Sequence, residues 1–288
     1  MAVNLIDIGL VVPTHLKNEV KVKHLLVMLM LGTVLWSCAS PKTPVELEAM
    51  LRPYYQIHQP SGDGPFPAVM VLHGGEGQSV ERGHSHLWAQ WLTTQGYVAV
   101  DIDSFSPRNV TEREVSTGAK LWGNERASDV LVTLAYLKTL PFVDPEKIAV
   151  IGFSHGGWAA LDSLSLAPPQ KLPSGLTEAP SGGLEGLRAV VAFYPWCKYP
   201  AAHRKGWESK IPVLFLLAGA DTVVSTSSCK QVAEAQKANG HPVEYYIYPD
   251  ATHDFDNPNN HGKCCSFDPD CYADAKNRVR RFLEKSMR

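Results

Sequence analysis

The chain has 288 residues, of which 44% are apolar and 19% carry a formal charge. This length can bury the core of one large α/β domain, and the composition excludes a disordered protein. The formal net charge is −2 and no basic run or stripe occurs, so nucleic acid is not expected as a partner.

Residues 1–39 have the features of an export signal. Basic residues at positions 17–24 precede an apolar run at 25–35, which is too short for a comfortable membrane span, and small residues follow it. The residues around Cys38 resemble a bacterial lipobox, in which Cys38 would be lipidated and anchor the protein to a membrane. Cleavage after Ala39 is one alternative, and a buried helix of the domain is another. We predict an export signal over 1–39, a folded domain over 40–288, and a location in the periplasm or cell envelope.

Short apolar runs alternate with segments of helical period along the rest of the chain. Strands are predicted at 54–59 (an edge strand), 68–72, 97–102, 148–151, 189–194, 213–217 and 243–248, and helices at 85–94, 121–140, from 157 onwards, 226–239 and 272–285. This alternation predicts an α/β fold, a mostly parallel central sheet with helices on both faces. Residues 168–186, rich in Pro, Gly and Ser, are expected to be a surface excursion within one domain and not a linker.

The strand predicted at 148–151 leads into Gly152-Phe153-Ser154-His155-Gly156, and a helix is predicted directly afterwards. A strand, Gly-x-Ser-x-Gly and a helix together are the sequence form of a nucleophile elbow. The glycines are needed because strand and helix approach closely at such a turn. The pattern therefore indicates Ser154 as a nucleophile, whereas the pentapeptide alone is weak because Gly and Ser are common in loops.

A serine nucleophile needs a base to take its proton and an acid to orient that base. In an open parallel sheet these groups lie beyond the carboxyl ends of strands. Asp221 follows one later strand and His253 follows the next, in the order Ser, Asp, His. Asp250 also follows a strand but lies three residues before His253, and His155 is too close to Ser154 in the chain to reach back. Taken singly, Asp221 could be only a helix cap and His253 only a solvated loop residue.

An oxyanion hole needs two backbone donors. We expect one from the N–H of His155, which begins the helix after the elbow. The other is expected at Gly75 in the loop after the 68–72 strand, where Gly74 and Gly75 allow the backbone to approach a substrate. The alternative interpretation of this loop is an ordinary glycine-rich turn.

Five cysteines follow the predicted signal, and export would expose them to an oxidising compartment. Two pairings are candidates for disulfides: a local one, of Cys264 or Cys265 with Cys271, and a long-range one, of Cys197 with Cys229. The odd number leaves one thiol over. The set His261, Cys264, Cys265 and Cys271 could instead hold zinc, although adjacent cysteines lack the usual spacing of zinc ligands. We predict no metal site.

Several motifs carry a resemblance to a known family. They are Leu72-His73-Gly74-Gly75, Asp103-Ser104-Phe105-Ser106-Pro107-Arg108, Arg126-Ala127-x-Asp129, Val143-Asp144-Pro145-x-Lys147-Ile148, Gly152-Phe153-Ser154-His155-Gly156-Gly157, Phe193-Tyr194-Pro195, Gly219-x-Asp221 and Tyr248-Pro249-x-Ala251-x-His253-x-Phe255-Asp256. In this order they resemble the dienelactone hydrolase family of α/β-hydrolases. The resemblance implies a single α/β-hydrolase domain, hydrolysis of an ester or lactone, and the roles of Ser154, Asp221 and His253. The founding enzymes use a cysteine nucleophile, whereas this chain has Ser154, which favours a serine-type esterase.

Three residues near these motifs are candidates for substrate binding. Arg108 follows a strand, and its guanidinium could bind an anionic group of the substrate; a loop salt bridge is the alternative. Trp158 could line the pocket, as could Trp196, although core packing is the more common fate of such residues. Glu76 follows the Gly74-Gly75 turn and could face the site.

The sequence thus predicts a serine hydrolase that cleaves a small-molecule ester or lactone through an acyl-enzyme and needs no cofactor. Two other functions are open. One is a non-catalytic binding protein of the cell envelope built on a hydrolase fold. The other is a peptidase of the prolyl-oligopeptidase type. Such peptidases usually carry a large extra β-domain before the hydrolase domain, and residues 41–66 are too few to form one.

Overall fold

The computed structural model describes residues 40–78, 83–168 and 171–288. The predicted export signal, including Cys38, lies outside these ranges. None of the helices within them combines the length and apolar composition that crossing a bilayer requires.

The described residues form one seven-stranded sheet. Its strands are β1 (Tyr55–His58), β2 (Phe66–Leu72), β3 (Val98–Ile102), β4 (Val143–Phe153), β5 (Leu187–Phe193), β6 (Val213–Ala218) and β7 (Val243–Tyr248). The order across the sheet is β1-β3-β2-β4-β5-β6-β7. Only the edge strand β1 is antiparallel to its neighbour, and the other pairings are parallel. The predicted α/β fold is confirmed.

Helices cover both faces of this sheet. They are α1 (Pro44–Leu51), α2 (His84–Thr94), α3 (Glu112–Ser116), α4 (Gly123–Leu137), α5 (His155–Ser165), α6 (Thr226–Ala238) and α7 (Pro269–Ser286). One buried core lies under α4, α5 and α6, and a second lies under α2 and α7. Because both faces are buried, the central strands are continuous apolar runs and do not alternate with polar residues.

Several element bounds differ from the prediction for local reasons. Helix α4 begins at Gly123 and not at residue 121, because Leu121 has a φ of 52° and so cannot be helical. Strand β4 begins earlier than predicted, at Val143, with a register shift against β2. The short helices α1 and α3 were not predicted, although both start with a capping box, at Thr43 and Thr111.

The long-range pair Cys197 and Cys229 forms a disulfide. The local pairing with Cys271 was wrong: Cys264, Cys265 and Cys271 are free thiols. Cys264 and Cys265 are chain neighbours with their sulfurs 2.8 Å apart, and neither forms a disulfide with Cys271. Among the described residues, the group with metal-ligating geometry lies elsewhere, so the alternative of a zinc site in this segment finds no support.

Candidate active site

Ser154 lies at the sharp turn between β4 and α5. Its backbone is strained, with φ 48° and ψ −110°, a region that a non-glycine residue seldom occupies. A side chain at Gly152 would collide with the backbone of Gly156, and one at Gly156 would collide with the Leu72 carbonyl at the end of β2. These glycines let strand, helix and neighbouring loop meet around Ser154, as the elbow prediction requires.

The structure brings His253 and Asp221 to Ser154. The loop after β7 places the Nε2 of His253 2.9 Å from the Ser154 Oγ, and its Nδ1 lies 2.7 Å from the Asp221 Oδ2. The other oxygen of Asp221 accepts from the N–H groups of Val223 and Val224, which fixes the carboxylate. Since Nδ1 faces a carboxylate, it carries the proton, and Nε2 is left to accept from the serine hydroxyl.

The loop after β2 runs beside the elbow and contains Gly74 and Gly75. The fully buried ring of His73 donates from Nδ1 to the Gly74 carbonyl (2.8 Å) and accepts at Nε2 from the N–H of Ser104 (3.2 Å). Burial, together with the nearby charge of Arg126, holds the pKa of His73 well below its ordinary value, so the ring is neutral. On the other side, His155 begins α5, and its N–H is among those at the helix N-terminus that lack a partner within the helix.

Two of the predicted substrate-binding residues are engaged within the fold. Arg108 forms a close ion pair with Asp129 (2.5 Å) and donates to the Ser104 carbonyl (2.8 Å), so the alternative of a loop salt bridge holds. Trp158 is buried and its Nε1 donates to Asp162 at 2.7 Å, which is the core-packing alternative. These contacts commit both side chains, and we do not assign either of them to substrate binding.

Glu76 and Trp196 remain close to the surface. The carboxylate of Glu76 folds back and accepts from the Gly74 N–H (3.3 Å). Although the residue is exposed, the surrounding loop partly desolvates its carboxylate, and this desolvation and the negative charge of Asp254 raise the pKa of Glu76. Trp196 is half-buried, with its Nε1 donating to the Tyr199 carbonyl. Because its contact with Gly74 is long and does not commit the whole carboxylate, Glu76 remains a candidate for substrate binding.

A buried network behind His253 was not predicted. The hydroxyl of Tyr194 lies 2.6 Å from Asp256 and 3.0 Å from Asp254, the two acids that flank Phe255. The Nε2 of His84 lies 2.9 Å from Asp256, and the Nε1 of Trp88 donates to the same carboxylate (2.8 Å). The sequence signal for this network was the pair of acids one and three residues after His253. The contact with His84 had no such signal, because His84 lies 172 residues from Asp256 in the chain.

This network has side chains that can ligate a metal, namely His84, Asp254 and Asp256. Its carboxylate oxygens, however, already accept from Tyr194 and Trp88, and from Asn257 and Asn260. Although burial alone would lower the pKa of His84, the adjacent carboxylates raise it to about 9. A protonated imidazole thus balances part of the acidic charge, and the arrangement fits an ion-pair network better than a metal site.

Comparisons with known proteins agree with this fold. The profile of the dienelactone hydrolase family matches residues 55–171 and 176–287. Over 220 residues the chain is 24% identical to dipeptidyl aminopeptidase BIII of Pseudoxanthomonas mexicana, covering 69% of this chain but 32% of that protein. It is 23% identical to a putative carboxymethylenebutenolidase of Synechocystis, covering 81% of this chain and 91% of the relative. The structure of esterase 2 from Thermogutta terrifontis phosphoramylated by tabun aligns with a TM-score of 0.58 at 19% identity, covering 80% and 88% of the two chains.

Proposed function

The chain belongs to the dienelactone hydrolase family, and from this membership and the arrangement of its site we propose that it is a serine carboxylic ester hydrolase. The observation that carries the proposal is the continuous hydrogen-bonded series from Ser154 through His253 to Asp221, with distances of 2.9 and 2.7 Å. A hydroxyl at a strained elbow, a base and an orienting acid form the machinery that acyl transfer needs. The proposed substrates are esters or lactones of small molecules.

The proposed reaction has two stages. The Oγ of Ser154 attacks the substrate carbonyl while the Nε2 of His253 takes its proton, and Asp221 holds the imidazole in the required tautomer. The N–H groups of His155 and Gly75 stabilise the negative oxygen of the tetrahedral intermediate. His253 then gives this proton to the leaving alcohol. In the second stage His253 takes a proton from a water molecule that attacks the acyl-enzyme, and it returns that proton to the Oγ of Ser154 as the acid is released.

Labelling with a fluorophosphonate tests the nucleophile, because such probes react with activated serines. We expect stoichiometric labelling of Ser154 and hydrolysis of p-nitrophenyl acetate, both abolished by Ser154→Ala. The matched control is Ser163→Ala, a serine on the same helix that is buried and bonded to the Ala160 carbonyl. It should retain both activities. Labelling that persists in Ser154→Ala would show that another residue is the nucleophile and would overturn the assignment of Ser154. A wild-type protein that is neither labelled nor active would favour a non-catalytic binding protein.

A peptidase is the second candidate, because a matched relative is named a dipeptidyl aminopeptidase. The chain spans about a third of that relative's length, so the relative's activity does not transfer with the fold. A panel of aryl esters, aliphatic esters, lactones and short peptide amides, compared by kcat/KM, separates the two classes. Preference for peptide amides over every ester would favour the peptidase.

We also propose that residues 1–39 direct export, since their basic, apolar and small segments follow the order of a signal. Expression of the full chain in a bacterium followed by fractionation should place the mature protein in the cell envelope. The N-terminal mass distinguishes a lipidated Cys38 from cleavage after Ala39. Retention of residues 1–39 on a cytoplasmic product would refute export.

A further inference from the structure

Arg126 is a buried arginine that the reaction described above does not use. It lies in the first turns of α4 and its side chain is fully buried. Only its Nη1 makes hydrogen bonds; Nε and Nη2 find no partner among the described residues, and the guanidinium lies 5.5 Å from the centre of the Phe105 ring. Burial of a guanidinium without a carboxylate partner lowers the stability of the fold. The hydrogen bonds that Arg126 does make therefore indicate what the residue contributes.

The Nη1 of Arg126 joins the two segments that carry the proposed oxyanion donors. It donates to the His73 carbonyl at 3.1 Å, in the loop that leads to Gly75, and to the Nδ1 of His155 at 3.0 Å. Burial and the Arg126 charge hold the pKa of His155 well below its ordinary value, so its Nδ1 is free to accept. One nitrogen atom thus connects the loop after β2 to the first residue of α5.

Contacts of His73 extend this connection to the donor itself. The His73 ring holds the Gly74 carbonyl at 2.8 Å. In a planar trans peptide the N–H of the next residue points opposite to that carbonyl, so holding the Gly74 oxygen aims the Gly75 N–H away from His73. Arg126 holds His73 in place through its bond to the His73 carbonyl. If that bond were lost, His73 would be free to shift, and the Gly75 N–H would then point in a different direction.

The charge of Arg126 has the sign that an oxyanion requires. Asp129, the acid that acts most strongly on the pKa of Arg126, is paired with Arg108, and no carboxylate among the described residues forms an ion pair with Arg126. Burial lowers its pKa to about 10, partly offset by Asp129, so the guanidinium remains a cation at neutral pH. A buried cation behind the donors acts at low dielectric, where its interaction with a developing negative charge is strong.

We propose that Arg126 is a positioning residue of the oxyanion hole, whose guanidinium fixes the backbone of His73 and the side chain of His155 relative to each other. The inference rests on the proposed esterase function. It concerns the transition state and not substrate binding, because the guanidinium is buried and its bonds go to protein atoms.

A pair of inhibitors tests this role in the full-length protein. An aryl trifluoromethyl ketone forms a tetrahedral adduct with the serine, whereas the matching methyl ketone binds as an unreacted carbonyl. In Arg126→Met we expect kcat with p-nitrophenyl acetate to fall about 100-fold, with KM within about threefold. The Ki of the trifluoromethyl ketone should rise in parallel, while that of the methyl ketone stays within about threefold.

Arg126→Lys keeps the cation on a shorter side chain and should recover about tenfold of the lost kcat. The matched control is Arg108→Met, which removes the half-buried arginine that pairs with Asp129. We expect it to lower thermal stability without separating the two inhibitors. Equal weakening of both inhibitors by Arg126→Met, or no change in either, would overturn the positioning role.

If Arg126→Met does not fold, His155→Ala carries the test, because it removes the acceptor of Nη1 but keeps the backbone N–H. About a tenfold selective loss of trifluoromethyl ketone affinity supports the proposal, and an unchanged ratio of the two Ki values refutes it. Failure of the esterase function itself is recognised separately, since wild-type protein would then neither hydrolyse the ester nor be labelled at Ser154.

Discussion

The ring of Tyr194 packs against the imidazole of His253, with the ring centres 4.6 Å apart. The Tyr194 hydroxyl reaches past the imidazole to Asp254 and Asp256, so one side chain both packs against His253 and binds the acids that follow it in the chain. Burial and these carboxylates raise the pKa of Tyr194 far above its ordinary value, and the phenol stays a neutral donor. The position of His253 thus depends on Tyr194 as well as on Asp221.

Tyr194→Phe should keep the ring contact and lose the donor. We expect the free energy of unfolding to fall by about 1–3 kcal/mol, because buried carboxylates lose a hydrogen bond. We expect kcat to fall about tenfold, because the ring that packs against His253 loses the hydrogen bonds that hold it in place. Tyr248→Phe is the matched control, since its hydroxyl bonds to Asp274 at 3.0 Å. Denaturant unfolding and ester kinetics of both variants check this prediction. A kcat of Tyr194→Phe equal to that of Tyr248→Phe would contradict the coupling of Tyr194 to His253.

Asp221→Asn tests the assignment of the acid. An amide at this position leaves the geometry but favours the wrong imidazole tautomer, and we expect kcat to fall by about 10³–10⁴ with little change in stability. Asp250, the competing acid in the sequence, is exposed and lies on the same loop as His253. Asp250→Asn should keep kcat within about twofold. The reverse ranking of the two variants would move the acid role to Asp250.

The parts of the site that follow strands could be predicted from sequence. Ser154, Asp221 and His253 each come just after a strand, and parallel strands bring their carboxyl ends to one edge of the sheet, so order and spacing were enough. The same reasoning gave the sheet, because its central strands are short, continuous apolar runs bounded by glycine or proline turns.

Partners that are far apart in the chain could not be predicted. For Arg108 the sequence left both an anionic substrate group and a salt bridge open, and the partner that neutralises it, Asp129, lies on α4, 21 residues further along the chain. His84 is on a helix whose neighbouring residues suggest only an amphipathic surface, and its bond to Asp256 depends on how α2 packs over the sheet. Periodicity shows which face of an element is buried but not which buried polar groups meet.

The network around His84 should make stability depend on pH. The pKa of His84 is raised from about 6.5 to about 9 by Asp256 and Asp254 against the opposing effect of burial, and Glu76 adds to the rise. The folded state therefore binds this proton more tightly than the unfolded chain. The resulting stabilisation, on the order of 3 kcal/mol, is complete below about pH 6.5 and is lost as pH rises through about 9.

Denaturant unfolding of the wild type between pH 6 and 10 measures this loss. His84→Gln should be less stable at pH 6.5 and should lack the decline between pH 7 and 9. His241→Gln is the control, a mostly buried histidine bonded to the Ser209 carbonyl and remote from this acidic cluster. A decline of unchanged size in His84→Gln would show that another group titrates.

Asp101 should be a site where the native residue costs stability. It lies in β3, fully buried, and no described donor is in hydrogen-bond geometry with either of its carboxylate oxygens. Burial raises its pKa to about 6, although Gln78 and Ser85 lie near enough to oppose this. The folded state favours the protonated acid, so the stabilisation from that proton is present below about pH 4 and lost as pH rises through about 6.

Asp101→Asn removes the charge and keeps the shape, and we expect it to raise the free energy of unfolding at pH 7 by about 1–3 kcal/mol. The gain should shrink towards zero near pH 4, where the native acid is itself protonated. Asp63→Asn, at an exposed turn between β1 and β2, should change stability by less than about 0.5 kcal/mol at either pH. A loss of stability in Asp101→Asn at pH 7 would mean that the ionised carboxylate is solvated or paired in the folded protein, and that its burial does not disfavour the charge.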